Sequence, residues 1–275
     1  KRDTVWRYEM ATRAHVVVDA ADYFELMREI MADARQRVFL IGWDFDTRIT
    51  LSQGRRWWSV RKRKEAPARL GSYILWLARR TPNLEIRLLK WNVAIIKALM
   101  RGSMTIDLIR WARSKSIDFK FDAAHPVGCS HHQKIVVIDD KFAVCGGIDM
   151  TSDRWDTRDH VEGDKRRRRP NGRHYEPWHD VTMMMEGDIA KALGDLGRER
   201  WKVAGGDELA SCRPQEESPW PKRLEAEFEN VEIGIARTRA EHGDCPQVAE
   251  IENLFVEQIA RAKHFVYAET QYFAS

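Results

Sequence analysis

Ser130-His131-His132-Gln133-Lys134-Ile135-Val136-Val137-Ile138-Asp139 is the stretch on which the reading of this chain turns. Ile135 to Ile138 form a short apolar, β-branched run of the kind that makes a strand. Asp139-Asp140-Lys141 then reads as a tight turn into a second strand, so the spacing predicts a hairpin of His132–Ile138 and Phe142–Cys145. Residues i and i+2 of a strand share a face, which would set His132 and Lys134 side by side. Asp139 has the other parity and falls at the turn. It is expected to orient neighbouring groups rather than touch a substrate. A neutral imidazole beside an ammonium suits attack on a phosphodiester: the ring nitrogen is the nucleophile, and the cation stabilises the oxygens where charge builds up. The plain alternative is a packed strand histidine beside a lysine lying along the surface.

On the N-terminal side, His15–Val18 reads as a strand and Asp19 as the N-cap of a helix with Phe24, Met27, Met31 and Ala34 on one face. Val38–Ile41 is a buried strand leading into Gly42-Trp43-Asp44-Phe45. A helix over Tyr73–Arg80, a strand over Leu84–Leu89, helical sequence over Val93–Arg113 broken near Gly102, and a strand through Ile117, Phe119 and Phe121 follow. Beyond the hairpin, residues 151–178 are polar and Arg-rich, a long loop of the kind that often carries function. Val181–Met185 is a strand, and Ile189, Leu193 and Leu196 mark a helix ending near Trp201.

The opening pattern then recurs. Strand Val231–Ile235, helix Val248–Ala262 and strand Phe265–Ala268 repeat the order seen at the start. At one constant offset Ala34-Arg35 aligns with Ala262-Lys263, Val38-Phe39 with Val266-Tyr267, and Phe45 with Phe273. The expected organisation is a first half over 1–205, a connecting segment over 206–230, and the beginning of a second half over 231–275. The expected fold class is α/β, a mixed sheet flanked by helices, duplicated in the full-length protein.

Composition leaves room for this and excludes little. The 275 residues are 43% hydrophobic and 32% charged with a net charge of +4, a globular balance that permits an anionic partner without demanding one. Basic residues cluster at Arg55, Arg56, Arg61, Lys62, Arg63 and Lys64 around Trp57 and Trp58, and again over Lys165–Arg169. Either cluster could meet lipid headgroups or nucleic-acid phosphate, or form a solvated loop. Cys129, Cys145, Cys212 and Cys245 show no metal-ligand spacing, and no apolar run approaches the roughly 18 residues of a membrane span. Any membrane association of this segment is expected to be peripheral, with a cytoplasmic or membrane-peripheral location. The chain begins at Lys1, so a leader could have been trimmed or left out.

His132, Lys134 and Asp139, followed by Gly146-Gly147-Ile148-Asp149, resemble the phospholipase D superfamily, whose signature is His-x-Lys-x4-Asp. The doubled histidine, Pro177-Trp178-His179-Asp180 before a strand, Glu186-Gly187, and Glu269-Thr270-Gln271-Tyr272-Phe273 look like its phospholipid-hydrolysing branch. The resemblance runs from about Val16 to the end of the chain. It implies His132, Lys134 and Asp139 as catalytic residues, with Gly147, Asp149, His179 and Asp180 binding substrate or supporting the site. It implies no metal and no cofactor. The implied function is hydrolysis of glycerophospholipids to phosphatidic acid and a free alcohol through a phosphohistidine, with transphosphatidylation when an alcohol replaces water. The partner would be a phospholipid membrane surface.

Two departures matter. Many superfamily members have asparagine where Asp149 stands, and an aspartate repels phosphate unless it is protonated or paired. In addition, two signatures converge on one site in the family, whereas this chain holds one. By the repeat offset the second would fall at about position 360, so the missing half-site is expected from a C-terminal part of the protein or from a homodimer. The alternatives are a superfamily nuclease acting on nucleic acid and a catalytically silent membrane-binding module.

Overall fold

In a computed structural model, the structure describes residues 3–53, 66–91 and 103–270. The basic, tryptophan-containing run from Arg55 to Lys64, residues 93–102 and Gln271–Phe273 lie outside the described residues. The elements are β1 (Arg7–Val18), α1 (Ala20–Ala32), β2 (Arg37–Gly42), α2 (Leu70–Arg80), β3 (Glu85–Trp91), α3 (Ser103–Ala112), β4 (Ile117–Asp122), β5 (Ile135–Ile138), β6 (Phe142–Gly146), β7 (Val181–Gly187), α4 (Asp188–Val203), β8 (Phe228–Ile235), the short pair β9 (Thr238–Arg239) and β10 (Val248–Ala249), and α5 (Glu250–Arg261).

Eight strands form one mixed sheet in the order β4-β3-β2-β5-β6-β7-β1-β8. β2, β3 and β4 are parallel to one another, and every other neighbouring pair is antiparallel. The sheet is covered on both faces, which explains its continuous apolar runs. On β2, Val38 and Leu40 pack among residues of α1 and α2, while Phe39 and Ile41 pack among Ile189, Leu193 and Trp201 of α4. β5 divides in the same way, with Val136 and Ile138 on the first face and Ile135 and Val137 on the second. The α/β class with helices flanking a mixed sheet is the observed one. Among the described residues no helix is long and apolar enough to cross a membrane, and the four cysteines form no disulfide.

Several local expectations need correction. β5 begins at Ile135, so His132 and Lys134 precede the strand. The ladder with β2 stops at the Ile41–Ile135 pair, and beyond it the Lys134 carbonyl accepts the Gly146 N–H at 3.3 Å from the β6 side. Asp19 does not cap α1 with its side chain; its backbone sits at φ 66, and the carboxylate turns elsewhere. Phe265–Ala268 is irregular and exposed rather than a strand. A strand is stabilised by a paired neighbour, and among the described residues this segment has none. The helix before it, α5, likewise leaves Phe255, Val256 and Ile259 exposed.

β8 contains Val231–Ile235 and adds to the sheet edge beside β1. Sheet pairing therefore continues past residue 205. In the basic run Lys165–Arg169, Arg167 is fully buried and binds Asp156, the Val161 carbonyl and the Tyr175 carbonyl. That run is partly an internal brace, not a uniform charged surface.

Candidate active site

Topology sets the site. β2 runs opposite to β5, β5 to β6, β6 to β7 and β7 to β1. The end of β2, the start of β5, the end of β6, the start of β7 and the end of β1 therefore meet at one end of the sheet. Register shows it directly: Ile41 faces Ile135, which faces Cys145; Gly146 faces Thr182; and Val18 faces Val181. Trp43, His132, Lys134, Gly147, Asp149, Asp180 and Asp19 all lie in the loops at that end.

His132 is exposed and Lys134 is buried. Lys134 Nζ stands 3.3 Å from His132 Nδ1 and 3.2 Å from Nε2, and donates to the His132 carbonyl at 3.2 Å. Loss of solvent around the ring, and then the Lys134 ammonium, hold the His132 imidazole below its ordinary pKa. Burial also lowers the Lys134 pKa, opposed by the nearby Asp149 carboxylate. Trp43 closes one side, its ring edge-on to His132 with centroids 5.7 Å apart. The two side chains open onto a cavity of about 740 Å³ shared with Gly147, Arg154, Trp178, His179, Asp180 and Glu269.

Asp149 follows β6 and is buried behind Lys134. Its Oδ1 accepts the Trp43 N–H at 3.1 Å. Its Oδ2 accepts no hydrogen bond among the described residues, with Lys134 Nζ 3.6 Å away, at ion-pair distance only. Burial pushes the carboxyl up to about 6 against the pull of Lys134. The aspartate is thus paired with the lysine and set behind it, which answers the repulsion expected between its charge and a phosphate.

A stability prediction follows from that shift. The folded protein keeps the Asp149 proton up to about pH 6, whereas the ordinary carboxyl value is 3.8. Unfolding in that window releases a proton, so Asp149 makes wild-type stability fall as pH rises, by up to about 3 kcal/mol across the window. Asp149→Asn removes this dependence. Urea melts across the window should show the variant gaining on wild type as pH rises; parallel curves would contradict it.

Asp139 lies at the opposite end of β5, about 17 Å of extended chain from Lys134. Asp139 and Asp140 have φ of 55 and 53, the sign required at both centres of a hairpin turn of the mirror-image type. The Asp139 carboxylate accepts three backbone N–H groups at the entry of β2: Arg35 at 2.8 Å, Gln36 at 2.8 Å and Arg37 at 2.6 Å. It lies outside the cavity that His132 and Lys134 line.

Gly147 and Asp180 touch. A Cβ on Gly147 would overlap Asp180 Oδ1, so glycine is needed there for close approach. Asp180 donates its N–H to Asp19 Oδ1 at 3.1 Å, and His179 Nδ1 lies 2.9 Å from the same oxygen. His131 turns away from the cavity. Its Nε2 meets the Ala124 carbonyl at 3.0 Å, and burial lowers its pKa.

Sequence reasoning missed Trp43, Arg154 and Asp19 as members of this region. Trp43 had a signal, since it directly follows the buried strand that ends at the site. Arg154 had none, being one arginine in an Arg-rich loop. Asp19 was read as a helix cap because the residue type fits both roles.

The described arrangement can be set against known proteins. The sequence pattern of the family described as Phospholipase D matches residues 30–275. Phospholipase D alpha 1 of Zea mays is 29% identical over 198 aligned residues, which take in 52% of this chain and 24% of that protein. Phospholipase D1 of Saccharomyces cerevisiae is 29% identical over 192 residues, taking in 52% of this chain and 11% of that protein. The matched region therefore spans a quarter or less of these relatives' length. Among solved structures, the phospholipase D family member Nuc of Salmonella typhimurium is similar at 11% identity and a TM-score of 0.42, covering 69% of this chain and 95% of that one. With the family pattern matched over most of its length, the chain belongs to the phospholipase D family.

Proposed function

We propose that the protein is a phosphodiesterase of the phospholipase D type that hydrolyses glycerophospholipids, with His132 as nucleophile and Lys134 as phosphate-stabilising cation. The observation that carries this reading is the Lys134 ammonium 3.2 Å from the His132 ring at the wall of an open cavity. A ring nitrogen of His132 attacks phosphorus, the N–P bond forms, and the bond from phosphorus to the headgroup oxygen breaks. The departing oxygen takes a proton from a second histidine. Water, deprotonated by that histidine, then attacks phosphorus, and the N–P bond breaks to give phosphatidic acid and free His132. An alcohol in place of water gives transphosphatidylation. The second histidine comes from a second signature, supplied by further sequence of the same protein or by a second copy of the chain. Asp139 holds the entry of β2 from the far end of β5 and stays out of the chemistry, and Asp149 sets the lysine.

The test is release of alcohol by the native protein from phosphatidylcholine and phosphatidylethanolamine vesicles. Release supports the reading. Cleavage of DNA without action on lipid would move the assignment to a nuclease, and inactivity on both would leave a binding module.

The pH profile adds a signed expectation. Protonated imidazole has no free lone pair, so kcat/KM falls as pH drops through the His132 pKa. Because that pKa is lowered from the ordinary 6.5, the acid half-point should lie below 6.5. A half-point above it would contradict this environment for His132.

A further inference from the structure

Beside the His132 cavity lies a second cluster that the proposed chemistry does not use. Asp19, His160 and His179 each present one ligand atom, and these atoms lie within 4.8 Å of one another. Asp19 is 1% exposed. Its Oδ1 is occupied by the Asp180 N–H and faces His179 Nδ1 at 2.9 Å. Its Oδ2 accepts no hydrogen bond among the described residues and faces His160 Nε2 at 3.3 Å.

The far side of His160 decides its tautomer. Nδ1 lies 3.0 Å from Asp156 Oδ2. Asp156 is a buried carboxylate that also accepts from Trp178 N–H, Thr157 N–H and Arg167 Nη1. A carboxylate held by that many donors is an anion, so His160 Nδ1 carries a hydrogen and donates it. Nε2 is then the ring atom that faces Asp19 Oδ2, at 3.3 Å. A carboxylate oxygen and a ring nitrogen so placed are joined either by a proton or by a metal ion. His179 Nε2 lies 3.3 Å from Oε1 of Glu269, a solvent-exposed carboxylate.

We propose that Asp19, His160 and His179 bind a borderline-soft divalent metal ion of the zinc type. Two imidazole nitrogens and one carboxylate oxygen match the donor set such ions take, and hard ions such as calcium and magnesium prefer oxygen alone. Bonds of about 2.0–2.1 Å in a tetrahedron put neighbouring ligand atoms about 3.3 Å apart, the separation of Asp19 Oδ2 and His160 Nε2. Asp156 behind His160 and Glu269 behind His179 supply the outer carboxylates that orient metal-binding imidazoles. The two histidines are partly exposed, which leaves an entry path. The ion's place is structural. It ties the end of β1 to the 151–178 loop and to the residue before Asp180, fixing one wall of the cavity.

The rival occupant is a proton, with His160 and His179 as imidazolium ions between carboxylates. The experiment separates the two without any substrate. The chain is stripped with chelator and titrated at neutral pH with zinc alone by calorimetry, with imidazole ¹H–¹⁵N spectra recorded before and after. One equivalent of zinc should bind, shift the ring signals of His160 and His179, and raise the Tm. His160→Gln should weaken binding at least about tenfold, and Asp156→Asn about tenfold or more. Absence of stoichiometric binding would overturn the proposal. So would zinc uptake that leaves the two ring signals unmoved, or full affinity in a folded His160→Gln. If His160→Gln fails to fold, the ring signals of the wild-type chain decide alone.

Discussion

The native protein carrying His132→Ala is expected to lose at least about 10³-fold in alcohol release from phospholipid vesicles, with its fold unchanged. Removing a covalent nucleophile removes the whole two-step path and leaves only binding and electrostatic stabilisation, which is why such losses are large. The variant is a clean probe because His132 is exposed. Truncating an exposed side chain costs within about 0.5 kcal/mol, so far-UV circular dichroism and Tm should match wild type. Lys134→Ala should also be severe, about 10²–10³-fold, by loss of a cation aimed at developing charge. It is a less clean probe, because Lys134 is buried 3.6 Å from Asp149 and its loss strands an acidic group. Activity of His132→Ala near wild type would remove the nucleophile assignment outright.

Asp139→Ala is expected to act in the opposite manner: a large loss of stability with little loss of activity per folded molecule. The carboxylate takes three backbone N–H groups where β2 begins. The Arg37 N–H is buried with Asp139 and has no water to turn to, and an unsatisfied buried donor costs about 1–3 kcal/mol. The N–H groups of Arg35 and Gln36 are only partly buried and turn in part to water. The loss is about 1–3 kcal/mol, read as a fall in the urea midpoint. β2 lies near the middle of the sheet, between β3 and β5, so loosening its entry propagates to both neighbours. Asp139→Asn keeps one acceptor oxygen and should recover part of the loss. At a urea-free temperature where the variant is folded, KM and kcat should stay within a few-fold of wild type. A collapse of kcat with stability intact would instead put Asp139 in the chemistry.

Much of the sheet could be read from local pattern. β2, β5 and β6 are short, largely apolar runs, β5 stopped by Asp139 and β2 and β6 ending in glycine, and such runs have few alternatives. The errors came where a strand needs a partner that pattern cannot supply. Phe265–Ala268 has the composition of a strand, yet with no paired neighbour among the described residues it is irregular. His132 and Lys134 look like the first residues of β5, yet the ladder with β2 stops at the Ile41–Ile135 pair and does not reach them.

The sequence by itself determined the residue types and the order of the signature: an imidazole two residues from an ammonium, an apolar strand, then an aspartate at a turn. Those are covalent facts, and with the doubled glycine they sufficed for the family. Only the tertiary structure decided which of them share a space. Five strand ends meet because the antiparallel order around β5, β6, β7 and β1 reverses the chain at each step. That reversal sends Lys134, Asp149 and Asp180 to one end and Asp139 to the other. It also brings Asp19 to His160 and His179, more than a hundred residues away in the chain. No spacing rule connects these residues, because their proximity depends on strand register and burial, which are properties of the packed sheet.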